Sequence, residues 1–422
     1  MGKIKFLYQN NFSKSNVALI CILLMFTGLL TSRVLLSIST MAFGLNALIG
    51  INPRRWFSEK WWLVSAGFVG YFTLSYFWSN DVTYWAANVI VKLPILLLPL
   101  SFAFLPSFSR RQYNIFTVFV AMLLVASVCY SVSFLFGNLA FYKEQYRTAR
   151  VLPTPMKNDY IRFGLVIALY IMWSIYHWPL SGQNKLLKWF VGIANVVFVI
   201  YLHILASKSA LIAIYIFFIT WGIYILAIKK SIKGAVVIGL IILLFIFANK
   251  YILTFRERLG YVNYQIWVYQ TGDKTGRYEE MGRIVSYDIA INIIKEHFLY
   301  GVGAGDMLHE MIKGYDKLYP NVPPNEKLLP HNEFLIVLLA CGLPAMLIFI
   351  LWVFMPLFLM KKTRESFFFL LCWVVLFIQL LIEPVLEVQY GVFVYMFFLL
   401  WQRHTLIKHE ISNKWYSKIA IA

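Results

Sequence analysis

The chain has 422 residues, of which 60% are hydrophobic, 18% are aromatic and 14% are charged. An ordinary soluble domain has about 45–50% apolar and about 25% charged residues, so this composition excludes a soluble globular protein and an intrinsically disordered one. The formal charge is +19, from 38 Lys and Arg against 19 Asp and Glu, and taken alone it would also suit a nucleic-acid binder. The distribution of the basic residues decides between these interpretations.

About twelve apolar runs are candidates for membrane-spanning helices, because a helix of about 20 residues crosses a hydrocarbon core of about 30 Å. The sequence therefore predicts an all-α, polytopic integral membrane protein. The predicted spans are 16–31, 35–52, 61–79, 86–105, 114–137, 160–178, 188–206, 209–228, 234–253, 332–359, 366–383 and 390–407.

The short loops between these runs predict an orientation through the positive-inside rule. With the N-terminus in the cytoplasm, 20 of the 38 basic residues but only three of the 19 acidic residues fall in the cytoplasmic segments. The basic residues concerned are Lys3, Lys5, Lys14, Arg54, Arg55, Lys60, Arg110, Arg111, Lys185, Lys188, Lys229, Lys230, Lys233, Lys361, Lys362, Arg364, Arg403, Lys408, Lys414 and Lys418. The positive charge is thus a topology signal with both termini cytoplasmic, and no basic domain remains for a nucleic acid.

Most of the sequence outside the predicted spans lies in one segment on the outer face. It divides the chain into an N-terminal bundle of about nine spans (1–253), a large outer loop carrying short helices (254–331), and about three C-terminal spans with a cytoplasmic tail (332–422). Because the cytoplasmic segments are short, we expect an enzymatic site to face outward, at or near the membrane surface.

The outer loop contains one helical stripe, formed by Ile284, Tyr287, Ile291, Ile294 and Phe298 at spacings of three and four residues. This stripe predicts a helix that packs on the membrane domain or lies at the lipid surface. The sequence GVGAG at 301–305 follows it. These glycines either end the helix and turn the chain or cradle a phosphate.

Two basic side chains at the outer ends of predicted spans are candidates for chemistry. His331, in PHNEF, is either a general base for a sugar hydroxyl or an interfacial helix cap. Lys208, in ILASKSALIA, interrupts apolar sequence that must turn at the outer surface. It is either a turn residue whose stem lies along the interface or a cation for the diphosphate of a membrane lipid.

Two further polar clusters flank predicted spans on the same side. PTPMKNDYIRFG contains Asn158 and Arg162, and IEPVLEVQYG contains Glu383, Glu387 and Gln389. Carboxylates at this depth are costly unless they are paired or hydrated. They either pair with Arg or Lys of the outer loops or orient catalytic cations and contact sugar hydroxyls.

Cofactor chemistry has no sequence support. The chain contains no Walker-type loop, no GxGxxG after a strand and no cysteine pair with metal-ligand spacing. His297, Asp306 and His309 share the loop with His331 but match no ligand signature, so we expect neither a cofactor nor a metal.

Two segments of the loop and the following helix resemble the signature of the bacterial O-antigen ligase and polymerase superfamily. They are GRIVSYDIAINIIKEHFLYGVGAGD, with Arg283, and HNEFLIVLLACGLPAMLIF, with His331 and Asn332. The shared pattern is an outer-loop Arg, a turn of Pro or Phe followed by GxG, and His-Asn at the head of a Gly-containing helix. The similarity is most specific over 203–391, weaker over 85–165, and limited to hydropathy in the first 60 residues.

The resemblance implies a GT-C-like fold in the bacterial inner membrane with a large periplasmic loop. It implies inverting transfer of a glycan from undecaprenyl diphosphate to a hydroxyl of lipid A-core or a comparable acceptor, without a metal or nucleotide sugar. Arg283 then corresponds to a diphosphate-binding Arg and His331 to the base. Lys208 stands where the family commonly has Arg after Ser, which keeps the charge but loses the bidentate fork.

The polar clusters predict a second group of residues that would support these three by orienting the cations or contacting sugar hydroxyls. They are Asn158, Arg162, Asn332, Glu383 and Glu387. A polymerase that joins repeat units on the same carrier needs the same donor chemistry and is the main alternative. A transporter or lipid flippase is a third reading, but the chain lacks similarity between its halves, and its large outer loop favours surface chemistry.

Overall fold

The structure, a computed structural model, describes residues 2–147, 150–178, 185–271, 279–360 and 366–419. Within these ranges the chain is built from α-helices joined by short turns and a few 3-10 segments, without a β-strand. The α-helices are α1 Gly2–Thr31, α2 Arg33–Leu48, α3 Lys60–Leu74, α4 Val82–Lys92, α5 Pro94–Phe104, α6 Arg110–Gly137, α7 Leu139–Arg147, α8 Tyr160–His177, α9 Lys185–Leu205, α10 Lys208–Ala227, α11 Lys233–Tyr251, α12 Leu253–Gln270, α13 Glu279–Glu296, α14 Met307–Leu318, α15 Glu333–Phe358, α16 Ser366–Ile382 and α17 Gln389–Ile419. The predicted all-α class is confirmed.

Eight segments of the described chain are long and apolar enough to cross a membrane. They are Lys14–Thr31, Val82–Phe104, Arg110–Gly137, Tyr160–His177, Lys185–Leu205, Lys208–Ala227, Lys233–Tyr251 and Glu333–Phe358. Helices α2 and α16 are apolar but shorter. Each of the twelve predicted spans overlaps a helix, and the chain is a multi-pass membrane protein. The count of twelve spans and the division of the chain into three parts remain predictions.

Several helices begin or end together at one end of the bundle, which we call the site face. Gln389 at the start of α17 donates to Ser37 Oγ near the start of α2 (2.6 Å). Gln379 near the end of α16 donates to the carbonyl of Ser209 in the first turn of α10 (3.2 Å). At the opposite end, Lys14 donates to the Ile49 carbonyl (2.6 Å). The sequence predicts that the site face is periplasmic, and this orientation remains a prediction. Of the basic residues predicted to lie on the opposite, cytoplasmic side, Lys361, Lys362 and Arg364 are outside the described residues.

Helix α15 is broken near its middle, and the loop after α13 fills the break. Gly342 has φ +70°, and Pro344 has no N–H to give to the carbonyl of Ala340 four residues earlier. Gly303 N donates to that carbonyl (2.9 Å), and Val302 N donates to Leu339 O (2.8 Å). The GVGAG segment is therefore fastened to α15 by backbone hydrogen bonds.

Substitution of Gly342 should destabilise this joint. A Cβ at this position would collide with the carbonyl of Leu299, and the backbone angles of Gly342 (φ +70°, ψ −163°) lie in a region that costs a non-glycine residue about 1–3 kcal/mol before any clash. We expect Gly342→Ala to lower the Tm by several degrees in detergent. Gly239→Ala in α11, where a Cβ meets nothing within 4 Å, is the control and should not lower it. Equal Tm values for the two variants would contradict the expectation.

The apolar stripe predicted in the outer loop coincides only in part with the packed face of α13, at Ile294. Ile284 and Ile291 are exposed, as is Phe298 just beyond the helix. The buried positions are Val285, Ser286, Ile289, Ala290 and Ile294, which face α14 and α15. The packed face is therefore offset from most of the stripe.

Candidate active site

Glu383, in the turn after α16, brings together the two residues predicted to carry the chemistry. Its Oε1 accepts a hydrogen bond from Arg283 Nη2 (2.8 Å), and its Oε2 lies 3.2 Å from His331 Nδ1. The Glu383 side chain is only 3% exposed, against 16% for Arg283 and 20% for His331. One buried carboxylate thus links a cation to an imidazole, while both partners keep some access to the surface.

Arg162, at the start of α8, reaches the same turn. Its Nη2 donates to the carbonyl of Pro384 (3.0 Å), and its backbone N–H is capped by Asp159 Oδ1 (3.1 Å). The guanidinium also lies 3.4 Å from Asp159 Oδ2. Arg162 therefore fixes the segment that carries Glu383 and adds positive charge beside it.

These charges set the ionisation of Glu383. Burial alone would raise the pKa of this carboxyl, but the hydrogen bond with His331 and the charges of Arg283 and Arg162 outweigh burial and hold the pKa below its ordinary value. Glu383 is therefore ionised at neutral pH, and the pair that it forms with His331 presents a carboxylate to the imidazole.

His331 is held in place by its neighbours at the head of α15. Asn332 is the N-cap, and its Oδ1 accepts from Phe334 N (2.9 Å) and Leu335 N (3.2 Å). Its Nδ2 donates to the carbonyl of Leu381 (3.1 Å). Tyr287 of α13 donates through its hydroxyl to the His331 carbonyl (2.7 Å). Asn332 is thus the helix cap, while the side chain of His331 remains directed to Glu383.

Lys208 lies at the same end of the bundle. It is the first residue of α10, and the turn predicted from the ILASKSALIA sequence is confirmed at Ala206 and Ser207. Helix α8 packs closely here because Gly164, two residues after Arg162, faces Ser207 and Ala210. The half-buried Lys208 side chain therefore begins between α8, which carries Arg162, and α16, which Glu383 directly follows.

Asn158 has a local structural role. It has φ +65° in a left-handed turn, and its Oδ1 accepts from Thr154 N (3.1 Å). The side chain closes the turn that leads into α8 and does not contact Glu383 or His331. Its contribution to the site is to start α8, and with it Arg162, at the site face.

Glu387 has a partner that the sequence analysis did not single out. Lys92, at the end of α4, places Nζ 2.8 Å from Glu387 Oε1 and 4.3 Å from the centroid of the Phe72 ring. The Lys92 side chain is fully buried and that of Glu387 is 8% exposed. Glu333, also fully buried, accepts from Leu386 N (2.9 Å). The contacts of Lys92 and Glu333 hold the 383–389 turn against the interior of the bundle. The sequence feature that could have indicated this cluster is Lys92, a single charged residue inside an apolar run.

Removing the Lys92 charge should destabilise the protein, because a buried carboxylate would lose its cation. Breaking one partner of a buried pair typically costs about 3–5 kcal/mol. We expect Lys92→Met to lower the Tm in detergent, and the double variant Lys92→Met/Glu387→Gln to recover part of the loss. Lys313→Met, which removes one partner of an exposed pair with Glu310, is the control and should change little. A Lys92→Met protein as stable as the parent would contradict this assignment.

The GVGAG segment does not provide a phosphate cradle. Besides the bonds to α15, Ala304 N donates to Ser75 Oγ (3.3 Å) and Gly305 N donates to Ser79 Oγ (3.1 Å). Gly301 N and Asp306 N donate to backbone carbonyls. Every amide N–H from 301 to 306 is thus engaged inside the protein, and the glycines serve close packing.

The protein is thus a multi-pass helical membrane protein with a charged site at one end of the bundle. In this site the guanidinium of Arg283 and the imidazole of His331 both contact the carboxylate of Glu383. Residues 193–350 match the O-antigen ligase family model, and this match supports the resemblance to the O-antigen ligase superfamily. Members are glycosyltransferase-like enzymes. The match includes Lys208, Arg283 and His331. No curated protein sequence matches the chain.

Proposed function

We propose that the protein transfers a glycan from undecaprenyl diphosphate to an acceptor hydroxyl of lipid A-core or a comparable glycolipid, at the periplasmic face of the bacterial inner membrane. The observation that supports this most directly is the contact of one buried carboxylate, Glu383, with both Arg283 and His331. A base, the group that orients it and a cation then lie within one cluster of close contacts, an arrangement suited to glycosyl transfer.

His331 is the proposed base. With Nδ1 directed to Glu383, the imidazole carries its proton on Nδ1 and accepts through Nε2. The acceptor hydroxyl gives its proton to Nε2 as its oxygen forms a bond to the anomeric carbon of the donor sugar. The Glu383 carboxylate stabilises the imidazolium that results, and a direct displacement of this kind inverts the anomeric configuration.

Arg283 and Lys208 are the proposed diphosphate ligands. The bond from the anomeric carbon to the diphosphate oxygen breaks, and the leaving group departs with the electron pair, so negative charge grows on it. The Arg283 guanidinium donates to Glu383 and to the Ile382 carbonyl, and its planar array of N–H groups suits the oxygens of a diphosphate. Lys208 adds a charge at the N-terminus of α10, where the helix dipole also favours an anion.

The direct test uses the purified protein in lipid nanodiscs with an undecaprenyl-diphosphate-linked glycan and lipid A-core. We expect glycosylated lipid A-core and one released undecaprenyl diphosphate per transfer, resolved by gel and mass spectrometry. Arg283→Ala should abolish this transfer while the protein stays inserted and abundant. Carrier-linked glycan that lengthens while lipid A-core stays unmodified would identify the polymerase alternative instead, and ion-coupled uptake without any transfer would identify a transporter.

A further inference from the structure

Three buried ionisable side chains lie beside the proposed active site and take no part in the proposed proton transfer. They are Lys92, Glu333 and Glu387. The side chain of Lys92 is fully buried, that of Glu387 is 8% exposed, and Glu333 is 0% exposed. A charge inside a helix bundle is costly unless it is paired, so the ionisation of these groups depends on how they contact each other.

The charges of this cluster do not balance if every group is ionised. Two carboxylates then face one ammonium, because Lys92 is the only cation in the described part of the chain that forms an ion pair with either of them. The titratable side chains around the cluster are Tyr84, Cys341 and Tyr395, and these are ordinarily neutral at neutral pH. One carboxylate is therefore in excess, and a proton removes such a buried charge.

One oxygen of each carboxylate has no donor among the described residues. Glu333 Oε2 accepts from Leu386 N (2.9 Å), and Glu387 Oε1 binds Lys92 Nζ (2.8 Å). The other two oxygens, Glu333 Oε1 and Glu387 Oε2, are buried. The two carboxyl groups lie within hydrogen-bonding distance of each other. Two acceptors in contact repel each other, whereas a single proton between them satisfies both.

The carboxyl pair joins the same two segments as the proposed catalytic contact. Glu333 lies two residues after His331 at the head of α15. Glu387 lies four residues after Glu383 in the turn that follows α16. The contact of His331 with Glu383 joins the head of α15 to the turn once, and the buried carboxyl pair joins them a second time. The pair thus sets the separation between the imidazole and the carboxylate that orients it.

We propose that Glu333 and Glu387 share one proton at neutral pH, and that the resulting acid–carboxylate pair positions His331 against Glu383. The positioning role rests on the proposed transfer function, whereas the shared proton does not. Glu333 carries the proton, because Glu387 has the ammonium of Lys92 as its partner. Glu333 then donates through Oε1 to Glu387 and accepts from the turn through Oε2. It acts through the turn and not on the substrates, so it is a positioning residue.

Infrared difference spectroscopy of the purified protein in an ester-free detergent tests the shared proton without any turnover. A protonated carboxyl group has a carbonyl stretching band that an ionised carboxylate lacks. Glu333→Gln should remove this band at neutral pH because it removes the acid. Glu387→Gln should remove it as well, because the carboxylate that is left is ionised beside Lys92. Glu144→Gln, at an exposed position, is the control and should leave the band unchanged. A band that survives either substitution in the pair would overturn the shared proton.

Steady-state kinetics in nanodiscs, at equal amounts of inserted protein, test the positioning role. Glu333→Leu removes the acceptor of Leu386 N and the donor to Glu387. It should lower kcat by about 10–100-fold through misplacement of the imidazole, with smaller changes in either KM. Glu333→Gln should restore kcat at neutral pH, because an amide both donates and accepts, as the protonated acid does.

The pH profile of kcat separates positioning from a role in folding alone. Alkaline pH removes the shared proton of the wild type, and the two carboxylates then repel each other, so kcat should fall on the alkaline side. Glu333→Gln has no such proton to lose, so it should lack this decline and keep the acid-side decline caused by protonation of His331. Identical alkaline profiles for these two proteins, or full kcat in Glu333→Leu, would overturn the positioning role. If the wild type shows no transfer at all, the proposed function fails and the infrared result still decides the shared proton.

Discussion

Replacing His331 by Ala is expected to lower the kcat of glycan transfer by about 10²–10⁴-fold, the range that a well-placed general base contributes. The imidazole is the only titratable group that Glu383 contacts besides the guanidinium of Arg283 among the described residues, and a guanidinium cannot serve as a base near neutral pH. Without it the acceptor hydroxyl must lose its proton to water. The measurement is single-turnover transfer with both substrates saturating, which reports the chemical step.

The control for this variant is His309→Ala. His309 lies on α14 in the same outer loop and is exposed, so its removal changes the histidine count without touching Glu383. We expect wild-type turnover from the control and comparable amounts of both proteins in the membrane. Turnover by the His331→Ala protein at the wild-type rate would remove His331 from the chemistry.

The helices of this protein were predictable from hydropathy because each span is a local property of the chain. The turn at Ser207 and Lys208 illustrates this. Apolar sequence from about 189 to 228 is too long for one span, so the polar interruption must be a turn. The structure ends α9 at Leu205 and starts α10 at Lys208.

The pairing inside the candidate site was not predictable, because it joins residues far apart in the chain. His331 and Glu383 meet only after α15 and α16 fold back on each other, and Arg283 arrives from α13. The sequence indicated that carboxylates at the outer turn need cations. It did not indicate which cation each one receives, and Glu387 in fact pairs with Lys92 from the bundle interior.

The surroundings of the apolar stripe on α13 were not predictable for a different physical reason. Apolar side chains are favourable both against another helix and against lipid, so hydropathy does not distinguish a packed face from a lipid-facing one. Ile284 and Ile291 are exposed, whereas Ile289 and Ala290 are buried. Near a membrane surface, helical periodicity predicts the helix but not the neighbour that it packs against.

Changing Glu383 to Gln is expected to lower kcat by up to about 10⁴-fold, because the isosteric amide keeps the shape of the side chain and loses its charge. An amide presents an N–H group to at least one of its two partners, and both Arg283 Nη2 and the protonated His331 Nδ1 are donors. Arg283 and His331 would then lose the common acceptor that orients them. Transfer assays at saturating donor and acceptor measure this loss, and donor KM should change less than kcat.

The same substitution should alter stability in a pH-dependent way. The folded-state pKa of Glu383 lies below its ordinary value, so its ionisation stabilises the folded protein above the unfolded-state pKa of about 4.3. That stabilisation is lost as the pH falls through the lower pKa of the folded state. The Tm difference between wild type and Glu383→Gln should therefore be full at pH 7 and narrow as the pH falls below about 4.

Glu144→Gln separates these effects from the loss of any one carboxylate. Glu144 pairs with Arg147 on α7 at a distance of 3.3 Å, and its side chain is 65% exposed, so solvent screens the pair and its removal should change kcat and Tm little. If Glu383→Gln retained wild-type kcat, Arg283 and His331 would not depend on a shared carboxylate for their geometry. If its Tm difference from wild type stayed constant down to low pH, the charge of Glu383 would not be what stabilises the turn. The kcat and the pH dependence of the Tm difference therefore test two separate properties. The kcat depends on the orientation of the His331 imidazole, whereas the Tm difference depends on how strongly the folded state prefers an ionised Glu383.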